Sequence, residues 1–142
     1  MRIPVLAKYL FGAVGALALL VFVGGYVLLD SMCSNQVISK TKSPDGSLEA
    51  VVFQRDCGAT TDFSTQVSIF RSWFPRGNSS GNVFVSDTNH GAAPAGMGGG
   101  PDVNVKWQSA NELVISHHFK VRIYLAEPQW GSVKVKYENV TF

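Results

Sequence analysis

The side chains able to do acid–base, redox or metal chemistry are few and widely spaced: three histidines (His90, His117, His118) and two cysteines (Cys33, Cys57). His117 and His118 are neighbours in a β-patterned stretch, so their rings point to opposite faces and do not share one metal ion. Asp87-Thr88-Asn89-His90 supplies two ligands, fewer than a metal site needs. A catalytic dithiol is usually spaced C-x-x-C, and structural zinc usually takes four ligands; Cys33 and Cys57 fit neither pattern. Ser64 and a strand histidine could be paired as nucleophile and base, but no nucleophile-elbow motif surrounds Ser64. No catalytic residue, metal or cofactor is assigned on this basis, and a non-enzymatic role is expected.

Three other segments carry polar or aromatic density. Arg55-Asp56-Cys57-Gly58-Ala59-Thr60-Thr61-Asp62 could hold a small ligand or cation, or be a hairpin loop whose Asp and Thr side chains bond local backbone. Phe70, Arg71, Trp73, Phe74 and Arg76 form an aromatic–basic segment between strands. This is the composition of a partner or membrane contact, or of rings that cap the core. Residues 90–102, rich in glycine and alanine, read as a mobile surface insertion that a partner could order. A phosphate loop would need a following helix and usually a lysine, whereas Pro101 and a β pattern follow here.

The elements that must position these groups begin with Tyr9–Leu29. This uncharged run of 21 residues has only glycines among its non-apolar positions. As a helix it spans roughly 30 Å, the hydrocarbon thickness of a bilayer. It is longer than the apolar core of a cleaved signal, and no A-x-A site follows. Asp30-Ser31-Met32 before Cys33 resembles a lipoprotein signal poorly. A single-pass anchor is therefore expected, with residues 1–8 as a cytoplasmic flank and residues 30–42 as a juxtamembrane connector. Gly12, Gly15 and Ala16 offer a small-residue face for helix packing.

Charge sets the expected orientation. The chain has 12 Lys+Arg and 10 Asp+Glu; removing Arg2 and Lys8 leaves 10 and 10, so the formal +2 belongs to the flank before the span. Positive flanks stay inside, which places the domain after residue 30 outside the inner membrane, in the periplasm or its equivalent. A neutral outer domain lacks the basic face of a nucleic-acid binder. In an oxidising compartment Cys33 and Cys57 should pair, closing a loop of about 25 residues worth roughly 3–4 kcal/mol. Asn78-Ser-Ser80 and Asn139-Val-Thr141 match glycosylation sequons, which matter only in a eukaryotic secretory setting.

Residues 43–142 alternate with a period of two. Leu48, Ala50 and Val52 oppose Glu49, and Val67 and Ile69 oppose Gln66 and Ser68. Val103, Val105 and Trp107 oppose Asn104 and Lys106; Val121, Ile123 and Leu125 oppose Arg122 and Tyr124; Val133, Val135 and Tyr137 oppose Lys134 and Lys136. With Val83–Val85 and Leu113–His117 this predicts an all-β domain, a small antiparallel meander or sandwich of about seven strands. Ser43-Pro44-Asp45-Gly46 reads as a turn.

The stretch SPDGSLEAVVFQRDCGATTDFSTQVSIF, with GNVFVSD and VKWQSANELVIS after it, resembles a group of short bacterial membrane-anchored or exported β-domain proteins of uncharacterised function. The likeness covers roughly residues 40–137. It implies an envelope protein and a β fold, and no activity or site residue comes with it. The expected function is an accessory or interaction module beside a membrane-associated complex, with the bilayer and another envelope protein as partners. The alternatives are an extracytoplasmic ligand-sensing or inhibitor domain and, third, a hydrolase with an unrecognised site.

Overall fold

The computed structural model describes residues 5–31, 33–58, 62–74 and 77–141, and within its helix the side chains of residues 12–25. Arg76, Thr60 and Thr61 lie outside the described residues. The chain divides into two units, Met1–Cys33 and Ser34–Phe142. The first is a single helix, α1 (Val5–Ser31). Among the described residues no helix is long and apolar enough to cross a membrane. The expected span, Tyr9–Leu29, runs past the helix side chains described, so the anchor rests on the sequence. Gly12 and Gly15 face open space where a Cβ would stand, and Ala16 is exposed.

The second unit is a two-sheet β domain with nine strands among the described residues, rather than about seven. One sheet holds β1 (Ser34–Lys42), β2 (Leu48–Asp56), β3 (Ser64–Arg71), β4 (Phe84–Asp87) and β7 (Arg122–Ala126), in the order β1-β2-β3-β4-β7. The other holds β5 (Val103–Ser109), β6 (Glu112–His118), β8 (Gln129–Trp130) and β9 (Val133–Val140), in the order β5-β6-β9-β8. The meander expectation is corrected at one place: β6 and β9 run parallel, because β7 leaves to join the other sheet before β9 returns.

Residues 34–42, expected as a connector, form β1. Their alternation is hidden because a bulge between Val37 and Ser39 resets the register and most of the strand is exposed on both faces. β8 is too short to show a period. The turn at Ser43–Gly46 is as expected: Gly46 N donates to Ser43 O at 2.8 Å, and Gly46 takes the left-handed φ of 72° that glycine tolerates.

The core lies between the sheets and contains Ala50, Val52, Val67, Ile69, Phe84, Leu113, Ile115, Val133 and Val135. Trp107 closes one edge, its Nε1 donating to Thr41 O at 2.9 Å. Contrary to simple alternation, β2 is buried on both faces from Glu49 through Arg55. The second face is covered by the loop after β3. Asn82 Oδ1 accepts from Ile69 N at 2.8 Å, and Gln66 Oε1 accepts from Gly81 N at 2.6 Å and Ser80 Oγ at 2.9 Å.

The glycine-rich insertion is also ordered rather than a free surface loop. Ala95 and Pro101 form a bridge, Pro101 and Ala93 are buried, and Gly98 and Gly100 lie directly on Gln54 and Thr65. A Cβ at Gly100 would stand 2.5 Å from Thr65 Oγ1, so the absence of side chains is what lets this backbone settle on the sheet end.

Candidate functional site

On the face of the five-stranded sheet turned away from the core, one residue from each strand falls into a single lateral row. Asn35 on β1 pairs with Arg55 on β2, Arg55 with Ser64 on β3, Ser64 with Asp87 on β4, and Asp87 with Arg122 on β7. Side chains at paired positions share one face of a sheet. The row is therefore polar across the full width of the sheet. It borders an open cavity of about 490 Å³, also lined by Cys57, Asp62, Gln66, Ser80, Val85, His90 and Tyr124.

Much of the row is bonded internally. Arg55 Nη1 donates to Asn35 Oδ1 at 2.8 Å and to Asn78 O at 2.7 Å. Ser64 Oγ accepts from Gln66 Nε2 at 2.7 Å. Asp87, whose side chain is only 5 % exposed, accepts from Asn89 N at 2.8 Å, from Tyr124 Oη at 2.7 Å and from Arg122 Nε at 3.2 Å, with Arg122 Nη2 a further donor. Burial by itself pushes the Asp87 carboxyl upward. The hydrogen bonds from Arg122, Tyr124 and Asn89 and the Arg122 charge outweigh it, so the group lies below the ordinary carboxylate range. The same contacts raise Arg122 and Tyr124.

With its acceptor positions filled, Asp87 acts as the fixed post that aims Arg122 and Tyr124 along the cavity wall. Arg122 Cζ stands 5.1 Å from the Tyr124 ring centroid. Arg122 Nη1 approaches His90 Nε2 at 3.1 Å, and His90 Nδ1 lies 3.7 Å from Asp62 Oδ2. An arginine can only donate, so this contact makes His90 Nε2 the acceptor and leaves the proton on Nδ1, toward Asp62. His90 is held there by an unusual backbone: Asn89, His90 and Gly91 take φ of 53°, 56° and 83°. Left-handed φ at two consecutive non-glycine residues costs of order 1 kcal/mol each, and such strain clusters at functional positions.

No protein family, curated protein or solved structure matches this chain.

The cysteines are bonded, Cys33 to Cys57, as expected for two cysteines in an oxidising compartment. The polar segment 55–62 contributes Arg55, Cys57 and Asp62 to the cavity. Ser64 and the strand histidines are not brought together. His117 is buried and stacks on Phe84 at 5.2 Å, and His118 stacks on Phe119 at 4.6 Å and accepts from Lys120 N. His90 and Asp87 meet through the Arg122 guanidinium, and among the described residues no cluster of three His, Cys, Asp or Glu is placed to hold a metal ion. In the aromatic segment Phe70 is half-buried and Arg71 exposed, while Trp73 and Phe74 are exposed edge to face, centroids 5.9 Å apart.

Alternation alone did not single out Arg122 and Tyr124, which read as the wet side of a strand. The available signal was a charge and an aromatic together on that side, with an Asp on another strand to fix them.

Proposed function

We propose that the protein is a non-enzymatic, membrane-tethered binding domain of the cell envelope that takes a ligand bearing an oxyanion, a carboxylate or phosphate, at Arg122 and His90. The observation that carries this reading is the Asp87–Arg122–His90 arrangement. A buried, saturated carboxylate pins a guanidinium beside a strained, solvent-facing imidazole, at the mouth of a cavity. Asp87 has no lone pair left to offer, so of this ion pair it is the Arg122 guanidinium that meets a ligand. An oxyanion at Arg122 would gain charge-assisted hydrogen bonds from the guanidinium in place of its contact with His90 Nε2.

The anchor is supported by the apolar run Tyr9–Leu29 and the charges before it, and an oxidising location outside the cytoplasm by the Cys33–Cys57 bond. The inner membrane with the amino terminus inside follows from the same charge pattern. The likeness to short bacterial envelope proteins agrees with this placement. A hydrolase finds no support here: Ser64 Oγ is held by Gln66, and among the described residues no base is bonded to it.

Calorimetric titration of the full chain with phosphate and with acetate tests the reading. Binding to the native protein that Arg122→Gln abolishes is the expected result; equal heats from both proteins would refute it. The accessory-module reading retains one specific support, the exposed Trp73–Phe74 pair. A stoichiometric membrane protein co-purified in mild detergent, and lost on replacing both rings by serine, would favour it.

A further inference from the structure

At the opposite end of β2 from Arg55, four turns converge on a second cleft. The β1–β2 turn brings Asp45 and Ser47, the exit of β3 brings Arg71 and Trp73, the β5–β6 turn brings Asn111, and the β8–β9 turn brings Trp130 and Ser132. The volume enclosed is about 510 Å³. The walls are tied to the scaffold. Ser72 N donates to Ser47 O at 3.0 Å and Ser72 Oγ to Gly46 O at 2.8 Å, while Lys134 N donates to Asn111 O at 2.8 Å. Loops held on a rigid sandwich are where recognition is usually built.

Two features set this cleft apart. The first is aromatic: Trp73 is 73 % exposed and braced edge-on by Phe74, while Trp130 packs on the core and shows its remaining surface to the cleft. The second is open hydrogen-bonding capacity. Among the described residues, the Arg71 guanidinium, the Asn111 side-chain amide and the Ser132 hydroxyl make no hydrogen bond or ion pair, the backbone N of Asn111 donating to Ser109 Oγ at 3.2 Å. The Asp45 carboxylate, by contrast, is occupied by Ser43 Oγ at 2.6 Å and by Ser47 Oγ at 2.8 Å. It stays with its own turn and leaves the Arg71 charge for a ligand.

A flat indole accepts the C–H face of a pyranose ring, and an amide, a hydroxyl and a guanidinium meet its equatorial oxygens. A guanidinium also takes a carboxylate with both arms. We propose that this cleft binds an acidic oligosaccharide: one sugar ring against Trp73, its carboxylate on Arg71, and hydroxyls on Asn111 and Ser132. A proline-rich peptide also seeks aromatic grooves, and its free backbone carbonyls can accept from Asn111 and Ser132, but it carries no carboxylate to pair with the Arg71 charge. The saccharide is therefore the occupant the chemistry favours, and the site is independent of the Asp87 pocket.

The test is tryptophan emission of the full chain in a detergent without a sugar headgroup, titrated with trigalacturonate, maltotriose and decaproline. Trigalacturonate should give a saturable change, and maltotriose should bind about tenfold more weakly, the loss of one charge-assisted contact. Arg71→Gln should bring the two sugars to equal affinity, and Trp73→Ala should remove the response to both. Because Trp73 and Arg71 are exposed, both variants should fold, and an unchanged thermal unfolding midpoint reports that they do. The proposal fails if neither sugar binds up to about 10 mM, if Trp73→Ala binds as the native chain does, if maltotriose matches trigalacturonate, or if decaproline binds more tightly than either.

Discussion

Arg122 on β7 holds Asp87 on the neighbouring β4 directly across the strand pair, through both Nε and Nη2. The carboxylate is buried while the guanidinium remains partly open to the cavity. That asymmetry decides what each partner does: Asp87 is structural, and Arg122 is the group a ligand meets. Tyr124, two residues further on the same strand, donates to the same carboxylate and shares the face.

Removing the post should therefore disorder the wall. Asp87→Ala leaves Tyr124 Oη, Asn89 N and two Arg122 nitrogens without their acceptor, and should cost about 2 kcal/mol in thermal or chemical unfolding. Arg122→Gln should lower the midpoint as well, and Asp87→Asn with Arg122→Gln together should cost less than the two separately, because the pair acts as a unit.

The depressed Asp87 carboxyl gives a pH signature. A group whose folded value lies below its unfolded value, 3.8 for this carboxyl, stabilises the fold fully above that value. This contribution disappears as pH falls through the folded value. The difference in midpoint between native protein and Asp87→Asn should be largest at neutral pH and shrink steadily below the ordinary carboxylate range. A difference that persists unchanged in acid would assign the stabilisation to packing.

Tyr137 supplies the opposite sign. Its hydroxyl lies 2.8 Å from both Val83 O and Glu127 O, and burial, with the Glu127 charge, raises its ionisation well above the usual phenol range. The stabilisation is complete below the unfolded phenol value near 10 and is lost as pH rises toward the folded value. Tyr137→Phe should cost about 1 kcal/mol by removing the one hydroxyl donor these carbonyls share, Val83 O keeping its bond from Glu127 N, and should flatten alkaline unfolding followed by ultraviolet absorbance.

Gln54 Oε1 and Thr65 Oγ1 are buried without a hydrogen-bond partner beneath the glycine loop. Thr65→Val keeps the shape and removes one orphan, so it should be neutral or raise stability by up to about 1 kcal/mol. Gly100→Ala should destabilise, because its Cβ would press on the Thr65 side chain. The two melting curves should move in opposite directions.

Cleaving the Cys33–Cys57 bond should lower stability by roughly 3–4 kcal/mol. Non-reducing mass spectrometry of protein from native membranes should show no free thiol.

The β class was legible because Val103–Trp107 and Val133–Tyr137 each bury one face, which writes a period of two into the chain. β1 was not legible, since an edge strand exposed on both sides has no such period and its bulge breaks the register. The burial of Arg55 was hidden too: Asn78, far along the chain, folds back to accept from its guanidinium, a long-range event with no local mark. The candidate site shared that difficulty. Arg55, Asp87 and Arg122 lie far apart in sequence and meet only through strand register. The glycines of 96–100 looked like looseness, yet their missing side chains are what permits close packing on Thr65.

The most direct test of the account is nitrogen-15 NMR of the His90 ring and the Arg122 side chain in the full chain, recorded as phosphate is added. The account predicts that the His90 Nε2 and Arg122 signals shift together, saturably, as the ligand displaces their mutual contact, and that neither moves in Arg122→Gln. His90 and Arg122 signals that stay fixed through the titration, or that shift equally in the variant, would contradict it.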